Sequence, residues 1–318
     1  MFDVTVIVPV FNAYNTIDKC IDSIINQTFK NFELLLINDG STDKSIDKIN
    51  KYAKKYKNFR VINKQNEGVA KTRNLGIKEA KGKYVMFIDN DDYVDKDYIE
   101  KYIDNIKNKD YDIVIGGYKR VNQNNEIIFS QKLKDYEWSK YIVVSPWARI
   151  IKRDFLLKNK IEFLSYKIGE DVYFSLLTYY YNPKIKIIDY NGYNWFFNNI
   201  SVSNTSQKGL SNDIDILFLL NKIKDIYTEP NDYVNYFLYR YYIWYMLFSG
   251  RESNRKLFIE ENNRILRWFD QNNVKIRINP FSKKIRGESL KNRLIVFVYD
   301  LLNRIRLLKL FSIIYCRR

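Results

Sequence analysis

The chain has 318 residues, 46% of them apolar and 16% aromatic, which suits one large core with an appendage or two modest domains and excludes a disordered chain. It carries a net charge of +16 and no histidine, so an imidazole base, a Ser-His-Asp triad and a His-built zinc site are all excluded; carboxylates, lysines, hydroxyls and bound ions are left to do chemistry. Cys20 and Cys316 lie almost a chain length apart and follow no metal-ligand spacing, so no disulfide scaffold is expected.

The first 118 residues alternate strand and helix. Short runs rich in Val, Ile and Leu at Val4 to Val8, Phe32 to Ile37, Phe59 to Ile62, Tyr84 to Ile88 and Ile113 to Ile115 read as buried strands. Helices are expected near Thr16 to Asn26, where Cys20 packs as a small hydrophobe, and near Asp43 to Tyr56, Gly68 to Ala80 and Lys96 to Asn108. Such alternation predicts an α/β fold with a mainly parallel, helix-flanked sheet. After Tyr118 comes a hairpin around Asn122 to Glu126, then a mixed region to about Asn198. From Ser211 the pattern turns helical, and a soft boundary falls near Gly209, which separates residues 1–209, with their change of rhythm after residue 118, from a basic helical region at 210–318. Within the latter, Tyr233, Tyr236, Phe237, Tyr241, Trp244, Tyr245 and Phe248 keep helical spacing and read as helix–helix core or a subunit contact.

Charge is uneven. From Arg251 to Arg318 there are 17 Lys and Arg against 6 Asp and Glu, a local excess of +11 that calls for an acidic partner surface. The segment Arg293 to Arg318 mixes apolar and basic residues and reads either as a helix lying in an anionic membrane interface or as a packed helix with a solvated basic edge. The amino terminus enters a strand without a charged leader, and no apolar run approaches a bilayer span, so a cytoplasmic protein is expected, peripheral on the inner membrane face under the first of those two readings.

In an open parallel sheet, ligands bind outside the carboxyl ends of the strands. Those ends here carry Pro9-Val10-Phe11-Asn12, Asn38-Asp39-Gly40-Ser41, Asn66-Glu67-Gly68 and Asp89-Asn90-Asp91-Asp92. The last group is the most telling: clustered acids after a buried strand suit a hard cation, Mn2+ or Mg2+, that holds a diphosphate, although Asp91 and Asp92 also suit the cap of a following helix. Gly40 and Gly68 let backbone approach a ligand, and Asp39 offers acceptors to a nucleobase or ribose. Glu170-Asp171 form a second acidic pair, at what is also a plausible helix start.

Residues 4–45 and 66–94, with the later Ser145 to Arg153 and Gly169 to Phe174, resemble the large family-2 glycosyltransferases with the GT-A fold, especially bacterial enzymes that build capsule, exopolysaccharide or lipopolysaccharide repeats. The likeness covers roughly residues 3–198 and implies that residues 1–209 form a catalytic domain, with a nucleotide-binding half (1–118) and an acceptor half (119–209). It implies a UDP-sugar donor bound by Pro9, Val10, Asn12, Asp39, Asn66, Gly68, Arg73, Asp89 and Asn90, a metal on Asp91, and Asp171 as catalytic base. Trp147, Arg149 and Glu170 fall on the acceptor side, with Trp147 equally suited to the core. Thr72 and Asn38 depart mildly from the family pattern and bear on donor detail. The resemblance implies an inverting transfer to a glycan or lipid-linked oligosaccharide acceptor. Two other classes fit less well. A sugar-1-phosphate nucleotidyltransferase wants a Gly-rich basic loop after strand one, which is absent; a nucleic-acid-binding protein has no use for acids at the strand ends, where they repel phosphate.

Overall fold

The structure, a computed structural model, describes residues 2–197, 209–210 and 214–317; Asn198, Ser211 and Arg318, which bound segments named above, lie outside the described residues. The chain divides into two units: residues 1–135 with 143–197, and residues 136–142 with 198–318.

The larger sheet of the first unit has seven strands. In chain order, β1 (Val4–Val10), β2 (Phe32–Asp39), β3 (Phe59–Lys64), β4 (Tyr84–Phe87), β6 (Ile113–Ile115), β9 (Arg149–Lys152) and β10 (Ile185–Ile187) lie side by side as β10-β6-β9-β4-β1-β2-β3. Every residue of β1 and β2 is buried, as expected of central parallel strands covered on both faces, where apolar runs replace alternation. The exception to parallel pairing is β9, which runs antiparallel to both β4 and β6. Between the strands stand α1 (Ile17–Ile25), α2 (Ser45–Lys55), α3 (Val69–Glu79) and α4 (Tyr98–Ile106); in α1 the buried face is Ile17, Cys20, Ile21 and Ile24, the three- and four-residue spacing that fixes an amphipathic helix. Helix α3 approaches β1 closely because Gly76 has no side chain there, where a Cβ would meet Ile7 Cγ2 at 2.5 Å. That approach seats Arg73, one turn earlier, at the carboxyl rim of the sheet.

A second sheet, ordered β5-β11-β7-β8, joins β5 (Tyr93–Val94), β7 (Tyr118–Val121), β8 (Ile127–Gln131) and β11 (Tyr193–Phe196). The hairpin of β7 and β8 turns through Asn122 to Glu126, whose Asn122 carbonyl oxygens accept from the Asn124, Asn125 and Glu126 N–H groups. Helices α5 (Arg153–Lys158) and α6 (Glu170–Tyr180) complete the unit.

The second unit is helical among its described residues: α7 (Ile216–Ile226), α8 (Asp232–Phe248), α9 (Arg255–Gln271), α10 (Leu290–Arg304) and α11 (Leu308–Tyr315). The segment Tyr136–Ile142 belongs to it and supplies Trp138, fully buried, whose indole N–H donates to Glu288 at 3.1 Å. Arg240 joins the same Glu288 at 2.7 Å, so the buried carboxylate has both an ion-pair partner and hydrogen bonds. Of the aromatic stripe on α8, Tyr236, Phe237 and Tyr245 are core, whereas Trp244 and Phe248 are about two-fifths exposed. The basic apolar segment at the end of the chain is two helices, divided at Ile305–Leu307, where Arg306 adopts φ +61°.

Candidate active site

The four turns at the carboxyl ends of β1 to β4 meet at one rim of the larger sheet, tied together by hydrogen bonds between side chains of one turn and backbone of the next. Asn12, at φ +47°, accepts from Thr42 N–H at 2.8 Å and donates its own N–H to Ser41 Oγ at 3.1 Å, tying the turn after β1 to the turn after β2. The Asn90 amide donates to the Pro9 carbonyl at 2.9 Å, tying the end of β4 to β1. Pro9 and Val10 are buried in the strand, so only their backbone faces the rim.

Asp39 is buried and accepts from the Glu67 N–H at 3.0 Å, the Gly68 N–H at 2.9 Å and the Lys64 ammonium. Burial pushes its carboxyl upward, but Lys64 and the Glu67 N–H outweigh that and hold it below the usual carboxylate range. Asn66 and Gly68 are exposed beside it. Gly40 adopts φ +68°, and a Cβ there would lie 2.6 Å from the Asn66 nitrogen; Gly68 adopts φ +90° with open space beyond. Lys64 was not foreseen from the sequence; its signal is its place as the last residue of β3, in register with Asp39.

The acid cluster splits into three different roles. Asp92 turns inward: its carboxylate accepts from the Tyr193 hydroxyl at 2.5 Å and the Phe196 N–H at 2.8 Å, fastening the rim to β11. Burial, then Asp91 and Asp89, push that carboxyl well above its ordinary range. Asp89 pairs with Arg73 at 2.7 Å. Asp91 accepts from its own backbone N–H, and burial together with Asp89 raises its carboxyl to about 6.

Arg73 is the connecting residue. Only 5% exposed, its guanidinium reaches Asp89 at 2.7 Å on one side and Glu170 at 3.4 Å on the other, so the end of β4 and the amino terminus of α6 lie around one cation. Its Nε has no partner among the described residues. Asp171 follows Glu170 in the first turn of α6 and accepts from the Val172 N–H at 2.8 Å. Burial and the neighbouring Glu170 raise the Asp171 carboxyl to about 7, against the opposing pull of the helix N–H and Arg73. A carboxyl poised there holds and releases protons at neutral pH.

The two aromatic and basic candidates on the acceptor side are buried. Trp147 stacks on Tyr193 with ring centroids 4.5 Å apart and is 7% exposed. Arg149 is wholly buried in β9, donating to Ser175 Oγ at 3.1 Å, the Tyr179 hydroxyl at 3.3 Å and the Val143 carbonyl, and in this conformation it presents no face to a ligand. A cavity of about 560 Å³ opens at the carboxyl ends of β2 and β3, where Gly40, Ser41 and Lys64 of the rim line it together with Asn63 and Gln65; it includes none of the acids above.

A hard cation fits the rim. Mg2+ and Mn2+ take oxygen ligands, and one or two carboxylates with phosphate and water oxygens suffice. Among the described residues no three Asp, Glu, Cys or His side chains form a ready-made cage, and none is required when a diphosphate supplies the remaining oxygens. Asp91, raised in pKa and with no cationic partner among the described residues, is the carboxylate such an ion would relieve.

S. aureus TarS 1-349 in complex with UDP-GlcNAc superposes with a TM-score of 0.55 at 22% identity, over 94% of this chain and 79% of that one. This likeness shows the fold, a GT-A-like mixed α/β architecture with a helical carboxyl-terminal region. A glycosyltransferase GlyA of Streptococcus pneumoniae is 32% identical over 57% of this chain and 29% of its own length. A poly(ribitol-phosphate) beta-glucosyltransferase of Bacillus spizizenii is 32% identical over 60% of this chain and 32% of its own length, so the chain spans about a third of these two relatives. A cholesterol galactosyltransferase of Borreliella burgdorferi is 28% identical over 76% of this chain and 74% of its length. The family model for glycosyl transferase family 2 matches residues 5–167, which hold the sheet rim, Arg73 and the acid cluster. The chain belongs to glycosyl transferase family 2.

Proposed function

We propose that the chain is an inverting transferase that moves a hexose or N-acetylhexosamine from a UDP-sugar to a glycan acceptor carried on a membrane lipid, in assembly of a surface polysaccharide on the cytoplasmic face. The observation that carries this reading is the Arg73 bridge, which holds the acid cluster and the Glu170-Asp171 pair around one guanidinium. Asp39, held ionised at the rim by Lys64 and the Glu67 N–H, is the acceptor offered to a uracil N–H. Asn66 and the Gly68 backbone lie beside it for the ribose. Asp91 would hold a Mn2+ or Mg2+ ion, whose charge would neutralise the departing diphosphate. Arg73 adds a fixed positive charge to the same rim.

In the reaction the acceptor oxygen forms its bond to the anomeric carbon as the bond from that carbon to the diphosphate oxygen breaks. Asp171 takes the hydroxyl proton, and UDP carries away the electron pair. A single in-line displacement inverts the centre, so an α-linked donor gives a β-linked product. The names of the relatives support the choice of class: the S. aureus neighbour was solved with UDP-GlcNAc, and two relatives are named as a glucosyl- and a galactosyltransferase. The test is a panel of UDP-hexoses and UDP-N-acetylhexosamines incubated with Mn2+ and lipid-linked acceptors, read as UDP release and as the anomeric configuration of the product. Release of UDP with a β-linked product from one donor is expected; an α-linked product would remove the single-displacement step.

A further inference from the structure

The helical unit ends in two helices whose outward faces are apolar. Along α10 and the residue that closes it, Leu290, Leu294, Phe297, Leu301 and Ile305 recur at the three- and four-residue spacing of one helix face, and each is between 41% and 65% exposed. The other face of α10 packs inward through Val296 and Tyr299. In α11 the pattern repeats: Leu308 and Ser312 are buried, whereas Leu310, Ile313 and Ile314 are 58%, 50% and 90% exposed. Contiguous outward stripes on two successive helices mark an interaction surface, because scattered apolar residues need no partner but an aligned set does.

The charge around these stripes selects the partner. Between Leu290 and Arg317 there are six basic residues and one acid, Asp300, whose carboxylate already accepts from the Tyr239 hydroxyl and pairs with Arg304. Arg306 and Lys309, in and just after the turn between the helices, are exposed. A second copy of the same face would set these cations against one another, a repulsion that self-pairing helices avoid by mixing signs. A bilayer rich in anionic headgroups answers both features, receiving the leucines and isoleucines at the acyl boundary and the arginines and lysines at the phosphates. Neither helix is long enough to span: α10 has 15 residues and α11 has 8, and among the described residues no helix is long and apolar enough to cross a membrane.

We propose that the outward face of α10 and α11 lies flat in the interface of an anionic membrane and holds the chain at the surface where a lipid-linked acceptor resides. The proposal rests on the reading of a membrane-borne acceptor, and its test separates the two. The whole chain is floated with vesicles of pure phosphatidylcholine and with vesicles of equimolar phosphatidylcholine and phosphatidylglycerol. Binding to the second only, weakened by salt, is expected. Because each basic residue near an anionic surface contributes about a fivefold gain in partition, the pair Arg306→Glu with Lys309→Glu should reduce binding by more than about 25-fold. The pair Leu310→Glu with Ile314→Glu, both at exposed positions, should reduce it at least about tenfold while the circular dichroism spectrum is unchanged.

UDP binding to these variants, followed by calorimetry, should match the unaltered chain. Equal binding to both vesicle types, or flotation of the variants like the unaltered chain, overturns the proposal. So does sedimentation of the unaltered chain as a dimer that Ile314→Glu returns to monomer without vesicle binding in either case. Anionic-vesicle binding that follows the predicted pattern in a chain that fails to bind UDP would leave the docking face standing and remove the donor reading.

Discussion

Replacing Asp171 by Asn tests the assignment of the base and the electrostatics of its surroundings together. A positioned general base contributes about 10² to 10⁴ in rate, or roughly 3–5 kcal/mol of transition-state stabilisation, so kcat should fall by that factor while UDP affinity is retained. The unaltered enzyme should show transfer that rises with pH through about 7, where Asp171 loses its proton, and the Asn variant should lack that limb. Stability should move in the opposite sense. The carboxyl is raised from 3.8 to about 7, so the folded chain binds more protons than the unfolded chain between those values, and stability is lost as pH rises through that window. A rise from 3.8 to about 7 sets an upper bound of roughly 4 kcal/mol, which solvent reaching the half-buried side chain reduces to on the order of 1 kcal/mol. The asparagine amide retains an oxygen for the Val172 N–H, so the variant should be more stable than its parent at pH 8 and equal to it at pH 4, measured by urea unfolding. Transfer at the normal rate, or a variant less stable than its parent at pH 8, would refute the reasoning.

Arg73→Met leaves Asp89 and Glu170 without their shared cation; breaking such a pair costs about 3–5 kcal/mol, toward the lower end here because the two carboxylates are 30% and 21% exposed, and an unchanged urea midpoint would contradict the bridge. Tyr193→Phe removes one of the two donors to buried Asp92 and should destabilise by about 1–3 kcal/mol in thermal unfolding, with a smaller effect on UDP affinity. Gly40→Ala forces a Cβ against the Asn66 nitrogen at positive φ and should cost about 1–3 kcal/mol with weakened UDP binding, whereas Gly68→Ala, strained in φ but facing open space, should cost less.

The strands were legible because central parallel strands are buried on both faces: the runs beginning at Val4, Phe32 and Tyr84 need no partner to be recognised. β9 was not, since Arg-Ile-Ile-Lys is too short to announce a strand and its antiparallel place between β4 and β6 is decided by contacts distant in sequence. The same holds for Arg149, which the resemblance puts on the acceptor side and which Ser175 and Tyr179, distant in sequence, enclose in the core. The acid cluster was evident as composition, but the division of labour within it was not. Asp92 is drawn inward by Tyr193, 101 residues away, and Asp89 is held by an arginine on a separate helix. Trp138 likewise lies in a stretch that reads as part of the sheet-bearing half, and its burial in the helical unit depends on Glu288 and Arg240, far along the chain.

The central claim is that Asp91, at the rim shared with Arg73, holds a divalent cation against the donor diphosphate. Titration calorimetry of UDP into the unaltered chain and into Asp91→Asn, each with and without Mn2+, measures it most directly. UDP affinity that rises at least tenfold with Mn2+ in the unaltered chain, and is insensitive to Mn2+ in the variant, is the predicted result. UDP binding that ignores the metal in both proteins, or depends on it equally in both, would contradict it.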